Sequence, residues 1–334
     1  MLRVPDEPDG PRLADLGESG LLARMLPLLP PGASTLVGPG DDAALVSAPD
    51  GRVVATTDAM VEGRDFRRDW SSPQDVGWKA AAQNLADIAA MGAVPTALLV
   101  ALVAPPDLPS SWVLGLAEGL AAACAGTGAS VVGGDLSSGD AIVVSVTALG
   151  DLRGRAPVLR SGARPGQDVA HAGVLGHSAA GLDALRQWGP EAAGRRSPHL
   201  LQAHRRPRPP YDLALAAAAA GATAMLDVSD GLLRDAGRIA EASGVTIDLD
   251  DAQLSWYAER LRPAAHAQGV DPWEWVVSGG EDHGMLAVFP PRSAPEGFVV
   301  IGRTHPGLTG WAPVLIEGED RYRVTGWDHF RQVP

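Results

Sequence analysis

The 334-residue chain has a single cysteine, Cys124, so no intramolecular disulfide can form and a cysteine-based metal site is excluded. Cys124 lies in an apolar helical run and reads as a small core residue. Positive charge is scarce. Against 40 Asp and Glu there are 27 Lys and Arg, a net charge of −13 with no basic stripe, which argues against a nucleic-acid role. The most basic stretch, Arg195-Arg196 with His204-Arg205-Arg206-Pro207-Arg208, is short and broken by prolines, and is expected to be a solvated loop. The longest apolar stretch, Ala93 to Pro106, is interrupted by Pro95 and is too short to span a bilayer. The first residues are acidic and proline-rich and lack the basic and apolar segments of a signal peptide. A cytoplasmic protein with no membrane or nucleic-acid partner is expected. Also missing are the strand-GxGxxG-helix unit of a dinucleotide fold and the GxxxxGK[ST] of a P-loop. Any nucleotide must be bound by another route.

What the chain does have is six short acidic motifs spread over some two hundred residues. They are Gly40-Asp41-Asp42, Thr56-Thr57-Asp58, Asn84-Leu85-Ala86-Asp87, Gly133-Gly134-Asp135, Asp227-Val228-Ser229-Asp230-Gly231 and Gly279-Gly280-Glu281-Asp282. Carboxylates held close together repel, and one of them tends to take up a proton. So many of them at strand ends and turns imply that they gather around something positive. Hard oxygen ligands with almost no Cys or His nearby point to Mg²⁺, commonly held by one or two carboxylates plus substrate phosphates.

The length suggests two domains. In the first half a helix is expected to open at Ser72-Pro73, with Ser72 as cap and Pro73 in the first turn, and to stop at Gly92 after Met91. Arg52 to Thr57 reads as a strand ending at Asp58, and Ser130 to Val132 as a short strand ending at Gly133-Gly134-Asp135. Thr96 to Val103 is a continuous apolar run, the mark of a strand buried on both faces, and Ile142 to Leu149 is a further strand. The alternation fits an α/β sandwich with mixed or antiparallel pairing. Turn-rich sequence from Asp151 to Gly166 marks a boundary, giving domains of 1–150 and 151–334. Beyond it lie helices at Ser178 to Trp188, Pro207 to Gly221 and Gly231 to Ser243, a strand ending at Asp227-Val228, and strands at Met285 to Phe289, Phe298 to Arg303 and Arg321 to Val324.

Asn84 and Asp87 share a helix face on a largely apolar segment, where a carboxylate needs a compensating partner, and a metal supplies one. The hydroxyls and carbonyls of Thr56 and Thr57 add hard ligands beside Asp58. Gly133 and Gly134 allow backbone to come close to a phosphate. Ser229 or Asp230 can cap a helix start, where a nucleotide phosphate or its metal would also sit well. Gly173 to Gly181 opens another helix after glycines, but its alanines and Gly181 point to close packing.

These motifs, in this order, resemble the thiamine-monophosphate kinases, members of the aminoimidazole-ribonucleotide-synthetase-like ATP-binding superfamily. The likeness runs through Gly40-Asp41-Asp42-Ala43-Ala44, Thr57-Asp58-Ala59-Met60-Val61-Glu62-Gly63, Lys79 to Gly92, Gly133-Gly134-Asp135, Arg160-Ser161-Gly162-Ala163, Asp227 to Leu232 and Ser278-Gly279-Gly280-Glu281-Asp282. It implies the PurM-like two-domain α/β (α+β) architecture: an N-terminal mixed-sheet domain that dimerises through its sheet, and a C-terminal domain closing over the active site. It implies a homodimer that uses ATP, with Mg²⁺, to convert thiamine monophosphate to thiamine diphosphate. By the same likeness Asp42, Thr56, Thr57, Asp58, Asp87, Asp135, Asp227 and Asp230 bind Mg²⁺. Gly134, Asp135, Arg160 and Ser229 contact ATP, while Asp65, Glu281 and Trp327 meet thiamine monophosphate. Trp327 would stack on the cationic ring. Because donor and acceptor are both phosphates, direct in-line transfer without a catalytic side chain or a phosphoenzyme is expected.

The chain departs from the family pattern at Asp65, usually His, and at His283-Gly284, usually Tyr-Glu. Arg64, Arg67 and Arg68 stand beside Asp65 to offset its charge. A selenophosphate synthetase would need a reactive Cys near the start, and the first 50 residues have none. An amidine-forming ligase should lack the Thr57-Asp58…Glu62-Gly63 and Ser278-Gly279-Gly280-Glu281-Asp282 pairing. A degenerate nucleotide-binding member without catalysis is the other alternative.

Overall fold

The computed structural model describes residues 10–39, 43–307, 312–320 and 326. Asp42, Trp327 and the strand expected at Arg321 to Val324 lie outside the described residues. The chain divides into two compact units, one of residues 1–88 and 94–154, the other of 89–93 and 155–334.

The first unit runs α1 (Leu13–Met25), β1 (Thr35–Val37), β2 (Leu45–Val46), β3 (Val54–Val61), α2 (Pro73–Ala90), β4 (Val94–Ala104), α3 (Ser110–Cys124), β5 (Val131–Ser138) and β6 (Val143–Asp151). Its main sheet is mixed, in the order β3-β6-β4-β5, with β4 and β5 parallel and the other pairs antiparallel. The start of α2 is a reciprocal capping box, Ser72 N–H to Asp75 Oδ2 at 3.0 Å and Asp75 N–H to Ser72 Oγ at 3.2 Å. Its end is the left-handed Gly92, φ 74°. α2 and α3 touch backbone to backbone. A Cβ on Gly77 would lie 2.1 Å from the Leu116 carbonyl oxygen, and one on Gly119 2.1 Å from that of Gln74. Cys124 is buried at the end of α3, and burial pushes its thiol up to about 12.

Burial alternates along the central strands. Met60, Leu98, Leu102, Val144, Val146 and Ala148 are buried on one face, whereas Thr57, Ala59, Leu99, Ala101 and Asp135 are exposed on the other. The run Thr96 to Val103 is therefore not buried on both faces, since Leu99 is 39% exposed. Two acidic motifs expected at strand ends lie within strands instead: β3 continues past Asp58 to Val61, and β5 carries Gly133-Gly134-Asp135 on to Ser138. The glycines permit this pairing, because a Cβ on Gly134 would stand 1.9 Å from the Val100 carbonyl oxygen of β4.

The second unit continues with β7 (Asp168–Ala172), α4 (His177–Arg196), α5 (Pro198–Arg205), α6 (Tyr211–Ala219), β8 (Ala224–Val228), α7 (Leu232–Ser243), β9 (Val245–Leu249), α8 (Asp251–Gln268), α9 (Pro272–Ser278), β10 (Gly284–Phe289), β11 (Val299–Pro306) and β12 (Val314–Ile316). The sheet order is β12-β9-β11-β7-β10-β8, antiparallel throughout except β12 with β9. Leu226, Val228, Ile247, Leu286 and Val288 pack with Leu232, Ile239, Leu254 and Val276 in its core. The basic stretch read as a solvated loop is largely structured. Arg195 and Arg196 end α4, and His204 and Arg205 belong to α5, with His204, Pro207 and Pro209 buried. The apolar pair Leu200-Leu201 draws that helix inward, and charge composition alone does not register this.

Candidate active site

In the first unit β3 and α2 bring oxygen donors together. Thr56 and Asp58 lie two apart on the face of β3 that carries buried Met60, so their side chains point to the same side. Thr56 Oγ1 donates to Asp87 Oδ2 at 2.7 Å, joining β3 to α2. One turn earlier Asn84, fully buried, donates from Nδ2 to the Ala80 carbonyl at 2.9 Å, and its Oδ1 has no hydrogen-bond partner among the described residues. Thr57 and Asp135 point to the open face. Thr57 Oγ1 receives a bond from Thr147 Oγ1 at 3.1 Å, and Ser137 Oγ donates to Asp135 Oδ2 at 3.0 Å. Of the expected ligands, Thr56 and Asp87 thus meet and Asp58 shares the Thr56 side of β3, while the side chains of Thr57 and Asp135 stand on the opposite side of the sheet.

Asp65 closes its own turn, accepting the Val61 N–H at Oδ2 over 2.8 Å. Of its neighbours, Arg67 pairs with Asp69 at 2.7 Å and lies over Trp70, and Arg68 pairs with Glu62 at 2.5 Å. Those two guanidinium groups are therefore committed to other carboxylates rather than to Asp65.

In the second unit two glycine turns press against each other. A Cβ on Gly280 would fall 2.4 Å from the Ser229 carbonyl oxygen, and one on Gly231 2.5 Å from that of Ser278. Backbone bonds from Glu281 N–H to Ser229 (2.8 Å) and His283 N–H to Val228 (3.0 Å) lock the pair. Glu281 and His283 both take left-handed backbone, φ 67° and 54°, which is sterically costly for side-chain-bearing residues and clusters at functional sites. Asp227, buried, meets His283 Nδ1 at 2.8 Å, so the departure at His283 has a direct role in holding this carboxylate. Gly284 makes room for the buried His171, whose Nε2 would stand 2.3 Å from a Cβ there. Asp230 pairs with Arg238 and lies 3.7 Å from Arg234, while its N–H donates to Asp235 Oδ2 at 2.9 Å. Burial, with Asp227 adding to it, pushes the Asp235 carboxyl up to about 7. Gly326 comes down on this junction, since a Cβ there would lie 2.1 Å from the Asp230 carbonyl oxygen.

Asp282 has a structural task. Its carboxyl oxygens accept the Gly176 and Ser178 N–H groups at 2.6 and 2.7 Å, so the N-terminus of α4 is already occupied by a side chain of the protein. Gly181 serves close packing as expected, since a Cβ there would meet the Leu200 carbonyl oxygen at 2.2 Å. Arg160 is exposed, with its carbonyl accepting from Ser243 Oγ at 2.8 Å. Sequence reasoning missed Asp235, Arg238 and His204. The spacing of Arg234 and Arg238 at four and eight after Asp230 was the available signal for the arginines. Asp235 and His204 become visible only through burial.

Among the described residues, no three His, Cys, Asp or Glu side chains stand close enough to hold a metal by themselves. The donors come instead in ones and twos of hard oxygen, a set suited to Mg²⁺ shared between protein carboxylates and substrate phosphates.

The profile of the AIR synthase related protein, N-terminal domain, matches residues 40–152, and that of the C-terminal domain matches residues 164–301. The thiamine-monophosphate kinase of Mycobacterium tuberculosis is 50% identical over 322 residues, 96% of this chain and 94% of that protein. The enzyme of the same name from Corynebacterium glutamicum is 44% identical over 306 residues, 90% of each chain. Among solved structures, AaThiL complexed with AMPPCP and TMP is 33% identical, with a TM-score of 0.72 over 96% of this chain and 99% of that one.

Proposed function

The chain belongs to the AIR synthase related family and, within it, to the thiamine-monophosphate kinases, and from that premise we propose direct transfer of the γ-phosphoryl group of ATP to the phosphate of thiamine monophosphate. The products are ADP and thiamine diphosphate. The observation that carries the reading is the Thr56–Asp87 bond, which sets oxygen donors from a strand and a helix side by side on one face of the sheet. The relative complexed with AMPPCP and TMP supports the pair of substrates.

Both reactants are anions, so the barrier is mutual repulsion and alignment. The acceptor phosphate has a second pKa of about 6 and is already ionised near neutral pH, so no side chain need remove a proton. Mg²⁺, when bound, neutralises charge on the transferred group. By the family likeness Asp42, Thr56, Thr57, Asp58, Asp87 and Asp135 of the first unit, and Asp227 and Asp230 of the second, are assigned to several Mg²⁺ ions, the side chains of Thr57 and Asp135 lying on the opposite side of the sheet from those of Thr56 and Asp58. Gly134, Asp135, Arg160 and Ser229 are assigned to ATP, and Asp65, Glu281 and Trp327 to thiamine monophosphate. The Arg238 and Asp235 contacts fix Asp230 before substrate arrives, and His283 does the same for Asp227.

Among the described residues no helix is long and apolar enough to cross a membrane. The open face of the first unit's sheet, with Leu99 39% exposed beside Ala101 and Ala59, supports a homodimer through that face. Sedimentation as a monomer at micromolar concentration would remove the dimer from the account. With ATP, Mg²⁺ and thiamine monophosphate, the protein should release ADP and thiamine diphosphate in equal amounts. ATP binding without thiamine diphosphate would favour a nucleotide-binding member of the family that has lost catalysis.

A further inference from the structure

We infer that His204 is a positioning residue that sets the aim of the Glu281 carboxylate toward a cationic group of the substrate. The inference rests on the reading of Glu281 as a substrate contact. α5 presents Leu200, Leu201 and His204 inward, and its close approach to α4 at Gly181 leaves only 3.0 Å between a Cβ on that glycine and His204 Cβ. This places His204 Nδ1 3.0 Å from Ser178 Oγ and 3.4 Å from Glu281 Oε2. His204 is buried, while the Glu281 side chain keeps 37% of its surface open, so the imidazole backs the carboxylate from the protein side.

The carboxylate only accepts, so the arrangement that favours the pair has the proton on Nδ1. The Ser178 hydroxyl within reach of the same nitrogen is a second acceptor. Shared between the two oxygens, Nδ1–H stays in contact with Glu281 while the carboxylate meets the cation, and this buried donor keeps a partner throughout. The left-handed backbone at Glu281, φ 67°, and the bond from its N–H to the Ser229 carbonyl hold the base of the side chain. His204 then fixes the far end. Two anchors on one flexible acidic side chain lower the entropy lost on meeting a cationic ligand.

The test is steady-state kinetics on His204→Leu and His204→Asn, each alone and with Glu281→Ala. His204→Leu should raise KM for thiamine monophosphate about tenfold, the coupling expected of neighbouring groups, at unchanged KM for ATP. His204→Asn, whose amide nitrogen falls near the place of Nδ1, should restore most of the loss. In the Glu281→Ala background His204→Leu should add nothing. An equal rise in that background, or a rise in both KM values for His204→Leu and His204→Asn alike, overturns the positioning role. If Glu281→Ala itself leaves KM for thiamine monophosphate unchanged, the substrate contact fails and the inference falls with it.

Discussion

Asp87→Asn keeps an acceptor for the Thr56 hydroxyl now held at 2.7 Å, yet removes the charge that the proposal assigns to Mg²⁺. Asp87→Asn should therefore lower kcat by about 10²–10³-fold, the range seen when a group stabilising developing charge is lost. Stability should drop by no more than about 1 kcal/mol, the net worth of one such hydrogen bond. Kinetics and denaturant unfolding on the same preparation check both halves, and near-normal turnover would remove Asp87 from the site. Part of this was legible residue by residue: a carboxylate in the middle of an apolar helix demands a partner, and the structure shows the Thr56 hydroxyl as one for Asp87, where the sequence pointed to a metal. The roles of Asp282 and Asp65 were not legible. Both bind backbone N–H groups, and nothing in a side chain's identity reveals which main-chain donors will come within reach.

At the scale of elements, β7 buries His171 completely, and desolvation lowers its pKa from 6.5 to about 3. His177, opening α4, is likewise lowered to about 4, by burial first and then by His199 and Arg260. Both imidazoles stay neutral in the folded state while the unfolded chain takes up protons below 6.5, so stability is full above that pH and falls as the pH drops through the window down to the folded values. His171 alone should remove about 1.5 kcal/mol between pH 6.5 and 5. Unfolding curves across that range should be flatter for His171→Asn, and an unchanged acid limb would contradict the neutral buried imidazole. Element types were readable from apolar period and caps, as at Ser72-Pro73, where the helix begins at Pro73. Strand ends were not. Asp58 and Gly133-Gly134-Asp135, read as strand ends, lie inside β3 and β5, because pairing with β6 and β4 overrides local preference.

For the whole molecule, the acidic motifs divide between the two units, with Thr56, Asp58 and Asp87 in one and Asp227, Asp230 and Glu281 in the other. Their order along the chain already pointed to a family whose relatives match over most of its length. That order could not tell which carboxylates hold the fold, since Asp282, bound to two backbone N–H groups, sits beside Glu281, whose side chain is 37% open. The central claim is a single direct transfer between two phosphates. It is tested most directly by supplying Mg²⁺, thiamine monophosphate and ATP made chiral at its γ-phosphorus with oxygen isotopes, then reading the configuration of the terminal phosphorus of thiamine diphosphate. One in-line displacement predicts inversion. Retention, which requires two displacements and an intermediate on the protein, or the absence of labelled thiamine diphosphate, would contradict the account.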